Sequence, residues 1–351
     1  MRAVVVVSGR SGDGFGLADP HPLTMVWLVD RPLVQWVCET LADAGVRTVD
    51  WVHHRAGDGP RQLLGSGRRW GARYRHHTAD PLGSPYPLVR TLVASGDAGA
   101  GVLVGHADRV PPAALGSADA AVRLYDESGG HGWTGWAAIS GPAVGQFPGQ
   151  AATPATVESA LAGNRAGPCE RVAVPAGLPI RCLSSYLAAT RAALGAAGTA
   201  PVWVSPSARV HPTARLIGPV RLGPRAEVGR GATVGPNAVV GPDCVLDRDV
   251  QLANAVVLPD TFVGGRLRLD GGVVGPDRVL TPGPGGAVRV ADRVPVTSLT
   301  APPFGPAWPA SLSGGAMRLV RLFRTVPARL LRPADRRTGP QTAAPMPAAS
   351  Y

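Results

Sequence analysis

Eight histidines, four cysteines and 35 basic residues hold most of the reactive side-chain chemistry of this 351-residue chain, and their types and spacing limit what it can do. All 35 cations are arginine, set against 24 acids, for a net charge of +11. The absence of lysine excludes a Schiff base, an ammonium nucleophile and a phosphate-gripping lysine, because arginine stays protonated and cannot take those roles one for one. Cys38, Cys169, Cys182 and Cys244 lie far apart with no C-x-x-C pair. That pattern signals neither a zinc ribbon nor a disulfide framework, and it fits a reducing cytoplasm. The histidines, His53-His54 and His76-His77 among them, show no metal spacing on a shared element and read as solvated or satisfied within the core. Asp108, which follows an apolar run, reads by itself as a strand-end carboxylate capping the next turn.

The elements that must hold these residues fall into two parts. Residues 1–197 read as α/β: Val4–Val7 is a buried strand, and Asp30-Arg31-Pro32 opens a helix with Leu33, Val37 and Leu41 on one face and Gly45 closing it. Val46–Val52 reads as a strand, Pro87–Ala94 as a helix, Gly101–Val104 as a strand and Ser184–Leu194 as a helix. Strands alternating with helices predict a mainly parallel sheet. Residues 198–201 form a linker.

From Val204 an aliphatic residue recurs every six positions: Val204, Val210, Leu216, Leu222, Val228, Val234, Val240, Leu246, Leu252 and Leu258. Small or β-branched residues follow each of the first nine by four, ending at Cys244, Val250 and Val256. Three six-residue faces make a triangular coil of about 18 residues with the aliphatics stacked inside. This predicts a left-handed parallel β-helix over 202–280, with a register slip after Leu258. Residues 281–316 read as irregular and rich in Pro and Gly.

The positive charge is concentrated in residues 301–351, which hold seven arginines and one acid, Asp335. On a helical wheel residues 317–332 place Arg318, Arg321, Arg324, Arg329 and Arg332 opposite Leu319, Val320, Leu322, Phe323, Val326 and Leu330. Such a helix packs on the fold or rests on anionic lipid as a peripheral contact. Residues 333–351 read as unstructured. The basic residues show no aromatic interleaving and no recognition-helix pattern, so nucleic acid is not expected as a partner. No run reaches the roughly 18 apolar residues of a membrane span, and Val4–Val7 is too brief for a secretory core.

The order of these elements resembles the sugar-1-phosphate nucleotidyltransferases of the mannose-1-phosphate guanylyltransferase type. The pieces that bear the resemblance are Ala3-Val-Val-Val-Val-Ser-Gly9, Asp30-Arg31-Pro32-Leu33, Asp80-Pro-Leu-Gly83-Ser84, Val102-Leu-Val-Gly-His-Ala-Asp108 and Ser185-Tyr186-Leu187-Ala188-Ala189, and with the β-helix they span most of the chain. The resemblance implies a Rossmann-like nucleotide-binding domain followed by the β-helix. It implies nucleotide contacts at Gly9, Arg10, Gly12, Gly83 and Ser84, and a metal-binding carboxylate at Asp108.

The same comparison marks departures. The family's loop arginine falls at Asp13, its phosphate-contacting lysine at Leu23 and its second metal-binding aspartate at Pro179. Proline cannot coordinate Mg²⁺, so that ion is expected only if the site is active. The sequence thus predicts an impaired nucleotidyltransferase-like protein. It would act as a regulatory or scaffold subunit in nucleotide-sugar or surface-polysaccharide biosynthesis, self-associating through the β-helix and pairing with an active partner. Two alternatives stand beside it. One is an active pyrophosphorylase in which Arg10, Arg73, Arg75, Arg90 and Arg181 replace the missing cations. The other is a hexapeptide-repeat acyltransferase with His211 as base.

Overall fold

In the computed structural model, residues 1–9, 23–96, 101–112, 115, 120–127, 132–174, 180, 182–195, 201–276 and 278–282 are described, together with the backbone of short strands at 287–289 and 296–298. The predicted helix at 317–332 and tail at 333–351 lie outside the described residues.

Strand β1 (Arg2–Ser8) is buried on both faces, as its run of valines requires of a central strand in a parallel sheet. With β2 (Thr48–His54), β3 (Arg73–Thr78), β4 (Val102–His106), β5 (Val122–Glu127), β6 (Trp133–Ile139) and β7 (Cys169–Val174) it forms a seven-stranded sheet ordered β3-β2-β1-β4-β6-β5-β7. Only β6 runs against the rest. Val4 and Val6 pack beneath α3 (Tyr86–Ala94) and α4 (Pro154–Ala162), while Ala3, Val5 and Val7 pack beneath α1 (Leu33–Asp43). A short α2 (Gly59–Leu64) follows β2, and α5 (Leu183–Gly195) leads toward the second part.

Several boundaries differ from the sequence reading, and two of them have a local cause. The first helix starts at Leu33 rather than Asp30, because Pro32 holds an extended ψ of 146° and Arg31–Pro32 pairs antiparallel with Trp27–Leu28. The second strand starts at Thr48 rather than Val46, because the Val46 amide donates to Leu41 O at 2.9 Å and belongs to the closure of α1.

From Val202 the chain winds in parallel rungs. Val202 pairs with Val220, Arg209 with Glu227, Arg215 with Thr233 and Val220 with Ala238, each partner lying three repeats further along the chain. That spacing on three faces is what a triangular coil requires, and Leu222, Val228, Val234, Val240, Leu246 and Leu252 fill its interior. Left-handed residues turn the corners, including Arg225, Asp243 and Asp260, whose φ values are 55°, 56° and 57°.

The repeat loses one residue earlier than predicted. Val239 pairs with Val256, one position short of three full repeats. The corner at Ala253-Asn254 is shorter, and Asn254 makes the turn at φ 48°. Val257 therefore takes the inward position expected for Leu258, and Ala255 the one expected for Val256. Val256 and Leu258 face out and join Val239, Val273 and Leu280 against Leu23, Leu28, Leu33, Tyr186 and Leu187. This apolar seam joins the coil to the α/β layer. Antiparallel strands at 278–280 and 287–289 close the later end of that coil face.

Candidate functional site

The strand order places the crevice. β1 connects through α1 to β2 on one side, and β3 connects through α3 to β4 on the other, so the direction of winding reverses beside β1. Ligands of open α/β sheets bind at the C-terminal strand ends at such a point. Ser8, Gly9, His54, Arg55, the Asp80–Ser84 loop, His106 and Asp108 lie at these ends.

Gly9 is shaped by the protein's own backbone. A Cβ there would stand 1.7 Å from Arg55 O, and the Gly9 amide donates to His54 O at 2.7 Å. The absent side chain makes room for the β2 terminus, where Arg55 is left-handed at φ 58°. Gly83 O accepts from His54 Nε2 at 3.0 Å, and a Cβ on Gly83 would meet only the Asp80 side chain, its carboxylate at 3.3 Å. Ser84 Oγ donates to Ala151 O at 2.7 Å and accepts from the Tyr86 amide at 3.3 Å, which is a turn-capping arrangement. Arg10, Gly12, Asp13, Pro179 and Arg181 lie outside the described residues.

Asp108 has one carboxylate oxygen, Oδ1, buried with no hydrogen-bond partner, and Arg109 Nε stands 3.7 Å from it. The turn-capping bond read from the sequence is not made by that oxygen. Beneath it His106 Nε2 lies 3.3 Å from Tyr86 Oη, and burial pushes the imidazole down to about 4. Burial, with the Asp108 charge adding to it, raises the Tyr86 phenol. His106 is therefore a neutral hydrogen-bonding group at pH 7.

The residues do not fit a magnesium ion. Asp108 offers one unpaired oxygen next to a guanidinium, and among the described residues no three His, Cys, Asp or Glu side chains gather as metal ligands. An ion that keeps near-octahedral oxygen coordination calls for more than that.

The remaining sequence candidates are dispersed. Arg73 begins β3, at the opposite end from the crevice, and Arg75 Nε is bound to Asp50 Oδ1 at 2.8 Å. Arg90 lines a shallow depression with Pro87, Thr91, Ala94, Gly149 and Gln150 on the α3 side. Leu23 is buried at 4% exposure in the seam between the two parts. His211 is half-buried at a coil corner, where its Nδ1 lies 2.9 Å from Thr213 Oγ1 and accepts from the Thr213 amide at 3.2 Å.

The structure also assembles a cluster that sequence spacing missed. His77 Nε2, Arg2 Nε and Arg75 converge on the fully buried Asp50, each within 2.8 Å. His53 Nε2 lies 2.9 Å from His76 Nδ1, and the other nitrogen of His53 is buried without a partner. His76 Nε2 donates to Gly65 O at 2.7 Å, so its Nδ1 accepts and His53 Nε2 donates. Only the pairing of three strands that are separate in sequence brings these residues together; the two His-His dipeptides at successive strand ends were the available signal.

Comparison with known proteins gives one family match. Residues 216–283, about a fifth of the chain, match the GMPPB C-terminal domain, which supports the resemblance to sugar-1-phosphate nucleotidyltransferases. No curated protein matches the sequence. Among solved structures, a candidate glucose-1-phosphate thymidylyltransferase from Bacillus anthracis, determined in complex with a sucrose, is similar at 9% identity over 54% of this chain and 94% of that chain, with a TM-score of 0.44. A likeness of that size carries no argument about function. Among the described residues no helix is long and apolar enough to cross a membrane.

Proposed function

We propose that this chain is a nucleotidyltransferase-like protein that binds a nucleotide sugar at the strand ends of its α/β layer without transferring a nucleotidyl group. It serves as a regulatory or scaffold subunit in nucleotide-sugar or surface-polysaccharide supply. The observation that carries this reading is the state of Asp108: a carboxylate at the switch point, with a buried unpartnered oxygen, a guanidinium at 3.7 Å and no gathered metal ligands among the described residues. Nucleotidyl transfer runs on positioning and charge neutralisation around the phosphates. The sequence supplies no lysine for that task, and Arg73 and Arg75 lie away from the crevice.

The coil supplies the assembly surface in this reading. Its family match, over residues 216–283, is to the C-terminal domain of GMPPB, and a catalytically active chain of the same type is the partner it would join. The catalytic alternative keeps one observation in its favour, the unpartnered Asp108 Oδ1, which a cation would satisfy.

Titration calorimetry with GDP-mannose and other nucleotide sugars, paired with a pyrophosphate-release assay on GTP plus mannose 1-phosphate and Mg²⁺, tests the reading. Nucleotide-sugar binding with no pyrophosphate release is the expected outcome. Turnover establishes the catalytic alternative, and silence toward every nucleotide sugar removes the ligand part of the proposal.

A further inference from the structure

β2 ends in two side chains that reach for one loop. His54 Nε2 donates to Gly83 O at 3.0 Å, and Arg55 Nε donates to Pro81 O at 2.5 Å. Inside the loop, Asp80 Oδ1 accepts from the Leu82 amide at 2.9 Å, and the Ser84 hydroxyl anchors the far end on Ala151 O. Two carbonyls of the 80–84 loop are thus already taken by donors of the same chain. A nucleobase approaching the loop with an N–H of its own meets carbonyls that each already spend one of two lone pairs and have the His54 ring and Arg55 guanidinium standing against them.

The backbone under the latch is held in an unfavourable form. Arg55 is a non-glycine residue at φ 58°, and Gly9 is pressed against its carbonyl closely enough that no side chain would fit. The Arg55 guanidinium is exposed and meets no acid among the described residues; a neutral carbonyl is its partner. A phosphate offers the guanidinium an opposite charge and two acceptor oxygens in fork geometry, neither of which a single carbonyl supplies. A phosphate-bearing ligand at the strand ends competes for that guanidinium on favourable terms.

We propose that His54 and Arg55 form an autoinhibitory latch on the 80–84 loop, released when a phosphate group captures Arg55 and frees the loop carbonyls for the rest of the ligand. The proposal rests on the nucleotide-site reading above and adds a regulated opening step to it.

Leu82 stands 90% exposed at the loop tip, so chymotrypsin cleavage of the Leu82–Gly83 bond in the intact chain reports loop opening. His54→Ala and Arg55→Ala, each losing about one hydrogen bond, are expected to be cut roughly fivefold to tenfold faster than the native chain. His54→Gln, which keeps a donor, cleaves near the native rate. Inorganic pyrophosphate accelerates cleavage of the native chain and leaves Arg55→Ala unchanged. Native cleavage rates in both alanine variants, or no response of the native chain to pyrophosphate, overturn the latch. The two readings fail separately. GDP-mannose binding with equal cleavage rates overturns the latch alone, whereas the full cleavage pattern with no nucleotide-sugar binding supports the latch and removes the ligand part of the functional reading.

Discussion

Arg221 and Asp30 lie far apart in sequence and meet at 2.7 Å, Nη2 to Oδ2, where the coil rests on the α/β layer. Asp30 also accepts from Arg31 at 2.7 Å, and Arg31 in turn pairs with Glu39 on α1. This chain of charges edges an apolar seam in which Val239, Val256 and Val273 pack against Leu28, Leu33 and Tyr186. The seam supplies the energy and the ion pair fixes the register of one part on the other.

Arg221→Ala is accordingly expected to cost about 1 kcal/mol, because the pair is partly solvated. Val256→Ala, which leaves a hole in the seam, is expected to cost about 2 kcal/mol. Urea titrations of the two variants give the comparison; a larger loss for Arg221→Ala would show that the charges and not the seam hold the parts together.

The glycines at the crevice differ in a way that mutation exposes. Gly9→Ala places a methyl group within 1.7 Å of a backbone oxygen, so it must displace the β2 terminus and is expected to cost about 3 kcal/mol or more. Gly83→Ala meets only a side-chain carboxylate at 3.3 Å and is expected to stay within about 1 kcal/mol of the native chain. Thermal melts of the two variants check this, and a mild Gly9→Ala effect would mean that the Arg55 turn yields easily.

Stability is expected to fall in two stages on acidification. Burial, reinforced by His76 and Arg61, pushes His53 down to about 4, and burial pushes His106 to about 4. Both folded values lie below the ordinary 6.5, so the neutral forms are favoured on folding. Their contribution is complete above about pH 6.5 and is lost as pH falls toward 4. Burial alone would raise the Asp50 carboxyl, but Arg75, His77 and Arg2 together hold it below its ordinary value, so its contribution disappears only at still lower pH. Urea midpoints at pH 7, 5.5 and 4.5 should fall steadily, and His106→Phe should flatten the upper stage. A flat profile between pH 7 and 5 would contradict the buried neutral histidines.

Within the coil, cost should follow the rung. Leu222 is 2% exposed and Leu216, at the first rung, is only partly buried. Leu222→Ala is expected to cost about 3 kcal/mol and Leu216→Ala about 1 kcal/mol, because the outer rung leaves less of a cavity. Chemical denaturation of each variant reads the difference; a larger loss at Leu216 would indicate that something seals the first rung.

The repeat was legible because stacking needs the same residue class at the same place in every rung, so a period of six showed in Val204 through Leu252 without any tertiary information. The shortened corner was not legible. Val256, Val257 and Leu258 are all apolar, and a composition pattern cannot say which of three neighbours points inward when one partner surface is the coil interior and the other is the α/β seam. The Asp50 cluster and the His53–His76 pair were hidden for a different reason. They depend on which strands are neighbours and in what register, with Asp50 opposite Arg75 and Val52 opposite His77. Gly9 was named from the resemblance as a nucleotide contact, and its packing against the Arg55 carbonyl was not legible, since close approach of a backbone and close approach of a ligand leave the same glycine.

Asp108 offers the sharpest separation of structure from function. A carboxylate oxygen buried without a partner lowers stability, and residues kept in spite of that cost are often there for a ligand. Asp108→Asn keeps the shape and removes the charge, so it is expected to leave stability unchanged or raise it by up to about 1 kcal/mol. It should also lower the pKa of Tyr86, whose phenol the Asp108 charge helps to hold up. Differential calorimetry gives the first and ultraviolet titration of tyrosinate the second. If nucleotide sugar binds at the strand ends, the same variant should change that affinity while the fold is intact. A stability loss of about 2 kcal/mol or more, the size expected when a buried hydrogen-bonded charge is removed, would instead assign Asp108 a structural partner and remove it from the site.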